Sequence, residues 1–177
     1  HLEWKPPHGV WEAIPPEHLS PGMAPPVALV SAAFSPDDRS LGYERGSSVS
    51  KAWQEATTFA AVDFVNHVIA NASYYEQAAK KDFADLKVVK ELCHQFAERA
   101  FRRPLTPEQR KFFVDNRFTE GKAPDESMKE SFLLVLTSPQ FLYPALSENE
   151  GPPDGYTIAS RLALVLWDSI PDERLYR

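Results

Sequence analysis

The stretch from Gln95 to Phe113, QFAERAFRRPLTPEQRKFF, constrains this chain most, because it demands a helix end and a helix start within a few residues. Leu86, Val89, Cys93, Phe96 and Ala100 recur at alternating steps of three and four, the spacing of one apolar helix face. Pro104 stops that helix, since proline lacks an N–H and its ring clashes with the preceding turn. Thr106 then offers an N-cap, Pro107 presets the first helical dihedral and Gln109 completes a capping box. Two helices joined by a tight proline turn are required, and an all-α fold is the leading expectation.

The flanks extend that reading. Ser47 or Ser48 can cap a long helix whose stripe Val49, Trp53, Ala56, Ala60, Phe64 and Val68 is matched by Val62, Val65 and Ile69 opposite. A helix apolar nearly all round is a buried central one, here reaching about Ala79 with a break near Asn71 to Tyr75. Asp82 or Asp85 caps the next helix. Beyond Thr106, Phe112, Phe113 and Phe118 supply a buried side, and Gly121 suits the stop. Asp125 caps a segment carrying Met128, Phe132, Leu133, Val135 and Leu136, and Ser138-Pro139 restarts it as a short turn through Tyr143. Thr157 opens a fifth helix with Ile158, Leu162, Val165 and Leu166 inward, and Ser169 and Pro171 announce a last short one. The expectation is a helical bundle of about five to six helices.

Eight of the sixteen prolines lie between Pro6 and Pro36, several in pairs. Paired prolines favour extended polyproline geometry, so residues 1–46 read as an arm, with Val27 to Val30 a candidate short strand. Residues 47–150 form the helical domain, and 151–177 read as the start of a following helical unit. The short final segment, with little stability of its own, leads to the expectation that the chain is part of a larger protein.

Charge and cysteine narrow the function classes. The net charge of −6 argues against nucleic acid and anionic lipid, which need a basic field. No apolar run approaches the ~20 residues of a membrane span. A single cysteine, Cys93, excludes an internal disulfide, a CxxC zinc site and a CxxCH haem attachment within the chain. No metal site is expected.

Few side chains point to chemistry. His1, His8, His18, His67 and His94 form no HExxH or His/Cys cluster; His67, inside the apolar stripe of the long helix, is either a hydrogen-bonded core histidine or an axial or distal ligand. Asp63, one turn earlier, can hydrogen-bond that ring. A hydrolase would need this pair, or two carboxylates, lining an open cleft. Cys93 lies on a core stripe, where its thiol is unreactive. Arg99, Arg102 and Arg103 are candidates to hold an anion, because arginine presents a bidentate fork; the alternative is that they and Arg110 meet helix-end carbonyls, Glu98 and Glu108. Asn71-Ala72-Ser73 matches a glycosylation acceptor by pattern but falls in a helix.

Three motifs carry a resemblance: FAERAFRRPLT at 96–106, LTSPQFLY at 136–143 and RLALVLWDSIPDERL at 161–175. With SPDDRSLGYERGSSVSKAWQEATT at 35–58, their order and spacing resemble the large planctomycete-type cytochrome c domain-containing proteins, built from serial domains of unknown function. Pro144 stands where a basic residue is usual. The resemblance implies an exported protein, periplasmic or at the cell surface, whose c-type haem is carried by other segments and not covalently by this one. It implies a helical scaffold segment whose partners are the remaining segments of the same parent protein or a partner chain, supporting an electron-transfer or redox site. The alternative is a module binding cell-surface polysaccharide or protein, with Trp4, Trp11 or tyrosines as stacking platforms.

Overall fold

The computed structural model describes residues 3–5, 9–13, 26–33, 51–143, 152–167 and 169–176. Two short strands, β1 (Glu3–Trp4) and β2 (Glu12–Ala13), pair antiparallel with Trp4 opposite Glu12. The remaining regular structure among these residues is helical: α1 (Lys51–Ala70), α2 (Ala72–Ala79), α3 (Leu86–Phe101), α4 (Pro107–Phe113), a 3-10 turn (Asp115–Arg117), α5 (Pro124–Leu136), α6 (Pro139–Leu142), α7 (Gly155–Trp167) and α8 (Glu173–Tyr176). The fold is all-α. Val27 to Val30, a candidate strand, form no ladder, and Ser31 instead ties the segment to α1. The capping serines at 47 and 48 lie outside the described residues.

The core forms where α3 meets α5. Cys93 and Ala97 on α3, and Ser127, Ser131 and Val135 on α5, are wholly buried. Small side chains let two helices approach closely and bring aromatic neighbours into register. Phe96 of α3 stacks on Phe132 of α5 with ring centres 3.9 Å apart, and on Phe64 of α1 at 6.3 Å. Val65, Val89, Met128 and Val114 complete the cluster.

Helix α1 lies against α5 rather than at the centre. Only Ala56, Ala61 and Val65 are buried on it, and Phe59 is 62% exposed, so the expected all-round burial does not occur. One face is sufficient, because α5 is the helix that α1 chiefly covers. Asn71 interrupts the helix where a break was expected, and its amide donates to the His67 carbonyl at 2.8 Å.

The turn between α3 and α4 follows the sequence closely. Arg102 adopts a left-handed backbone, φ 61°, and its N–H donates to the Arg99 carbonyl while that of Arg103 reaches Glu98. This is a Schellman closure, which satisfies carbonyls that a helix end otherwise leaves free. Thr106 Oγ1 accepts from the Gln109 N–H at 3.3 Å and Gln109 Oε1 accepts from the Thr106 N–H at 2.9 Å, the full capping box. Phe101 and Phe113, edge to face at 4.9 Å, close the turn from inside. Phe112, expected inside, is exposed because Phe113 takes the inward position.

Of the two candidate caps for α3, Asp85 serves, accepting from the Lys87 N–H, while Asp82 bonds within the preceding turn. Ala123 rather than Asp125 is the N-cap of α5, since Pro124 already presets its first dihedral. Asp154 caps α7, accepting from the Thr157 N–H at 2.8 Å. On α7 the small Ala159 and Ala163 face inward, and Ile158, Leu162, Val165 and Leu166 are exposed, Val165 by 81%. The buried side of α7 is thus its small one, and the large side chains lie on the rest of its surface.

Urea denaturation of Phe132→Ala is expected to show a loss of about 3–5 kcal/mol, the cost of emptying a well-packed aromatic site. Thr106→Ala removes one cap and is expected to cost ~1 kcal/mol by the same measurement.

Candidate functional site

Arg99, Arg102 and Arg103 cluster at the carboxyl end of α3 with Arg110 following on α4, and their surroundings differ. Arg103 Nη2 lies 3.3 Å from Asp154 Oδ1 and 3.1 Å from Thr157 Oγ1, so it clasps the first turn of α7. Hydrogen bonds from the Thr157 hydroxyl and N–H, with Arg103 beside them, hold the Asp154 carboxyl below its ordinary range. Arg110 pairs with Glu98, linking α4 back to α3. Arg99 is half-buried and makes no ion pair among the described residues.

Arg102 differs from all of these. It is 8% exposed, its Nη1 donates to the Phe141 carbonyl at 3.5 Å, and its Cζ stands 5.9 Å from the centre of the Phe141 ring. Burial lowers its affinity for the proton, with no neighbouring carboxylate to oppose that. Its Nε has no acceptor. Arg102 and Arg103 thus diverge, one toward α6 and the other toward α7.

The Asp63–His67 pair does not form a hydrogen bond. Asp63 Oδ2 accepts from Ser31 N–H at 3.0 Å and from its hydroxyl at 2.6 Å, and these bonds hold the Asp63 carboxyl low. His67 is half-buried; its Nδ1 lies 3.5 Å from the Asn71 amide, and its Nε2 is enclosed without a partner. Asn71, the residue of the glycosylation pattern, spends its side-chain amide on this helix break.

A polar contact unforeseen in the sequence reading joins α3 to the 3-10 turn. Lys90 Nζ lies 2.9 Å from Asp115 Oδ1, and His94 Nε2 lies 3.2 Å from the same oxygen. Desolvation pushes the Asp115 carboxyl up, but Lys90 and then His94 outweigh it and hold the group below its ordinary value. The only available signal was that Lys90 and His94 share a helix face at i, i+4. The partner, Asp115, came from the 3-10 turn beyond α4.

Cys93 is sealed between α3 and α5. Burial pushes its thiol up to about 12, and the neighbouring Ser131 hydroxyl pulls weakly the other way. Covalent c-type attachment needs two thiols, so these residues do not fit that group. Among the described residues no three of His, Cys, Asp or Glu gather as a metal-holding group, and no helix is long and apolar enough to cross a membrane.

These features define an α-helical packing module whose polar groups chiefly fasten helix ends. A model of a protein family of unknown function, PSD5 (DUF1595), matches residues 88–145, from early α3 past α6. Over that span, which holds the Arg102 turn and the Phe96–Phe132 stack, the chain is similar to that family. No curated protein and no solved structure matches it.

Acid titration of stability should expose the Asp115 contact. Its folded-state value lies below the unfolded one of ~3.9, so its contribution is present above that value and is lost as pH falls through the folded one. Asp115→Asn is expected to flatten the acid limb of a stability-versus-pH curve.

Proposed function

We propose that the chain is a helical scaffold segment of a larger exported protein, in which α7 packs against another segment of the parent or a partner chain. The observation that carries this is the outer surface of α7. Ile158, Leu162, Val165, Leu166 and Trp167 are all substantially exposed on a helix whose first turn is held to the end of α3 by the Arg103 clasp. Contiguous exposed apolar surface of this kind marks an interaction site. The motif resemblance supports the finer reading: the parent is a c-type cytochrome-like protein, periplasmic or at the cell surface, and this segment shapes an electron-transfer site borne elsewhere. The chain's own role there is to position and to exclude water.

Hydrogen exchange on the intact parent protein tests the reading. The α7 amides are expected to be strongly protected there, and Leu162→Glu with Leu166→Glu is expected to remove that protection while sparing α3 and α5. Rapid exchange of α7 in the unmutated parent would defeat it. Absence of a Soret band from the parent would remove the redox part alone.

A second reading, a binding module for cell-surface polysaccharide, is favoured by Trp11, which is 68% exposed beside exposed Val10. Aromatic faces of this kind stack on sugar rings. Polysaccharide that shifts tryptophan fluorescence in the unmutated chain and fails to do so in Trp11→Ala is the expected result on that reading.

A further inference from the structure

Residues 26–33 are hydrogen-bonded to the helical body through one residue. Ser31 directs both its N–H, at 3.0 Å, and its hydroxyl, at 2.6 Å, onto a single oxygen of Asp63 on α1. Among the described residues these are the hydrogen bonds that join the segment to the helices. Its large side chains stay in water: Val27 is 64% exposed, Leu29 82% and Val30 48%, while Pro26 and Ala32 are half-buried. Apolar groups left in water give a seat little hydrophobic anchorage, and the segment forms no ladder to hold it. One carboxylate accepting two hydrogen bonds therefore decides whether the segment stays.

That tie depends on charge, because hydrogen bonds to an ionised acceptor are roughly twice as strong as neutral ones. The hydroxyl and then the N–H of Ser31 hold the Asp63 carboxyl below its ordinary range, against desolvation, with no charged side chain among the described residues contributing. Residues 26–33 carry no charge of their own. On α1 the closest titratable group along the helix is His67, one turn on, whose Nδ1 is turned to the Asn71 amide. Asp63 is only half-buried, so a proton reaches it with the core of α3 and α5 closed. Linkage is reciprocal: if the seated segment weakens proton binding at Asp63, proton binding weakens the seat.

We propose that Ser31 and Asp63 are the latch of a releasable strap: residues 26–33 leave α1 when Asp63 loses its charge, and the helical body stays folded. The folded-state value of Asp63 lies below the unfolded one of ~3.9, so the latch is closed above that value and opens as pH falls through the folded one. It stands independently of the roles given to α7 and Trp11.

NMR of the whole chain, followed from neutral pH down through the carboxylate range, tests this. At neutral pH the Ser31 N–H is expected downfield and the strap as rigid as α1 in backbone relaxation. On acidification the Ser31 shift and the strap's rigidity are expected to be lost together with the titration of the Asp63 carboxyl carbon, before the amides of α3 and α5 change. Asp63→Ala is expected to show the released strap at neutral pH, with exchange at the Ser31 N–H about tenfold faster or more and the core amides unmoved. A strap that stays rigid in Asp63→Ala, that is already mobile in the unmutated chain at neutral pH, or that is lost only when the core unfolds overturns the proposal. Should Asp63→Ala fail to fold, Ser31→Pro removes both donors without touching α1 and is expected to give the same release; a rigid strap in that variant overturns the proposal equally.

Discussion

Everything in the described body depends on how closely α3 and α5 approach. Cys93 and Ala97 on one side and Ser127 and Ser131 on the other leave room only for backbone near backbone. That proximity allows Phe96 to lie flat on Phe132, and Phe64 to extend the stack into α1. Larger residues at these positions would hold the helices apart, and a cavity or a strained rotamer would follow. The serines bring a second cost, since the hydroxyls of Ser127 and Ser131 are enclosed without hydrogen-bond partners of ordinary geometry. Close packing outweighs it because dispersion accumulates over many contacts.

Local signals in the sequence were good guides wherever backbone chemistry is decided within a few residues. The Thr106–Pro107–Gln109 start, the Asn71 break and the Ser138–Pro139 restart are all local. The direction in which a helix faces was legible only where its apolar positions made one stripe, as on α3 from Val89 onward, Leu86 at its first turn being exposed. On α1 and α7, where large apolar residues occupy several sides, periodicity could not choose the buried one. The buried positions there are mostly small, Ala56 and Ala61 beside Val65 on α1 and Ala159 and Ala163 on α7. The candidate site divides in the same way. The arginine cluster was visible as composition, but the separate partners of Arg102 and Arg103 come from α6 and α7, distant in sequence. Asp63 was a candidate partner for His67 by spacing, yet a segment distant in sequence supplied the donor in Ser31.

The polar contacts share a pattern. Lys90 to Asp115, Arg110 to Glu98 and Arg103 to Asp154 each fasten the beginning or end of one element to α3. Exposed pairs of this kind contribute little to stability. They set direction instead, aiming α4, the 3-10 turn and α7 as they leave the core. The apolar face of α7 is thus presented outward by a clasp that is itself weak.

Cys93 gives this core a readout of its own. It is the single thiol of the sequence, it is completely enclosed, and its thiolate is suppressed by burial. A reagent or an oxidant can reach it only when α3 and α5 part, so its rate of modification counts those openings one by one. In an oxidising compartment the same seal prevents stray cross-linking for as long as the core stays shut, which makes chemical lifetime and core stability a single quantity in this molecule.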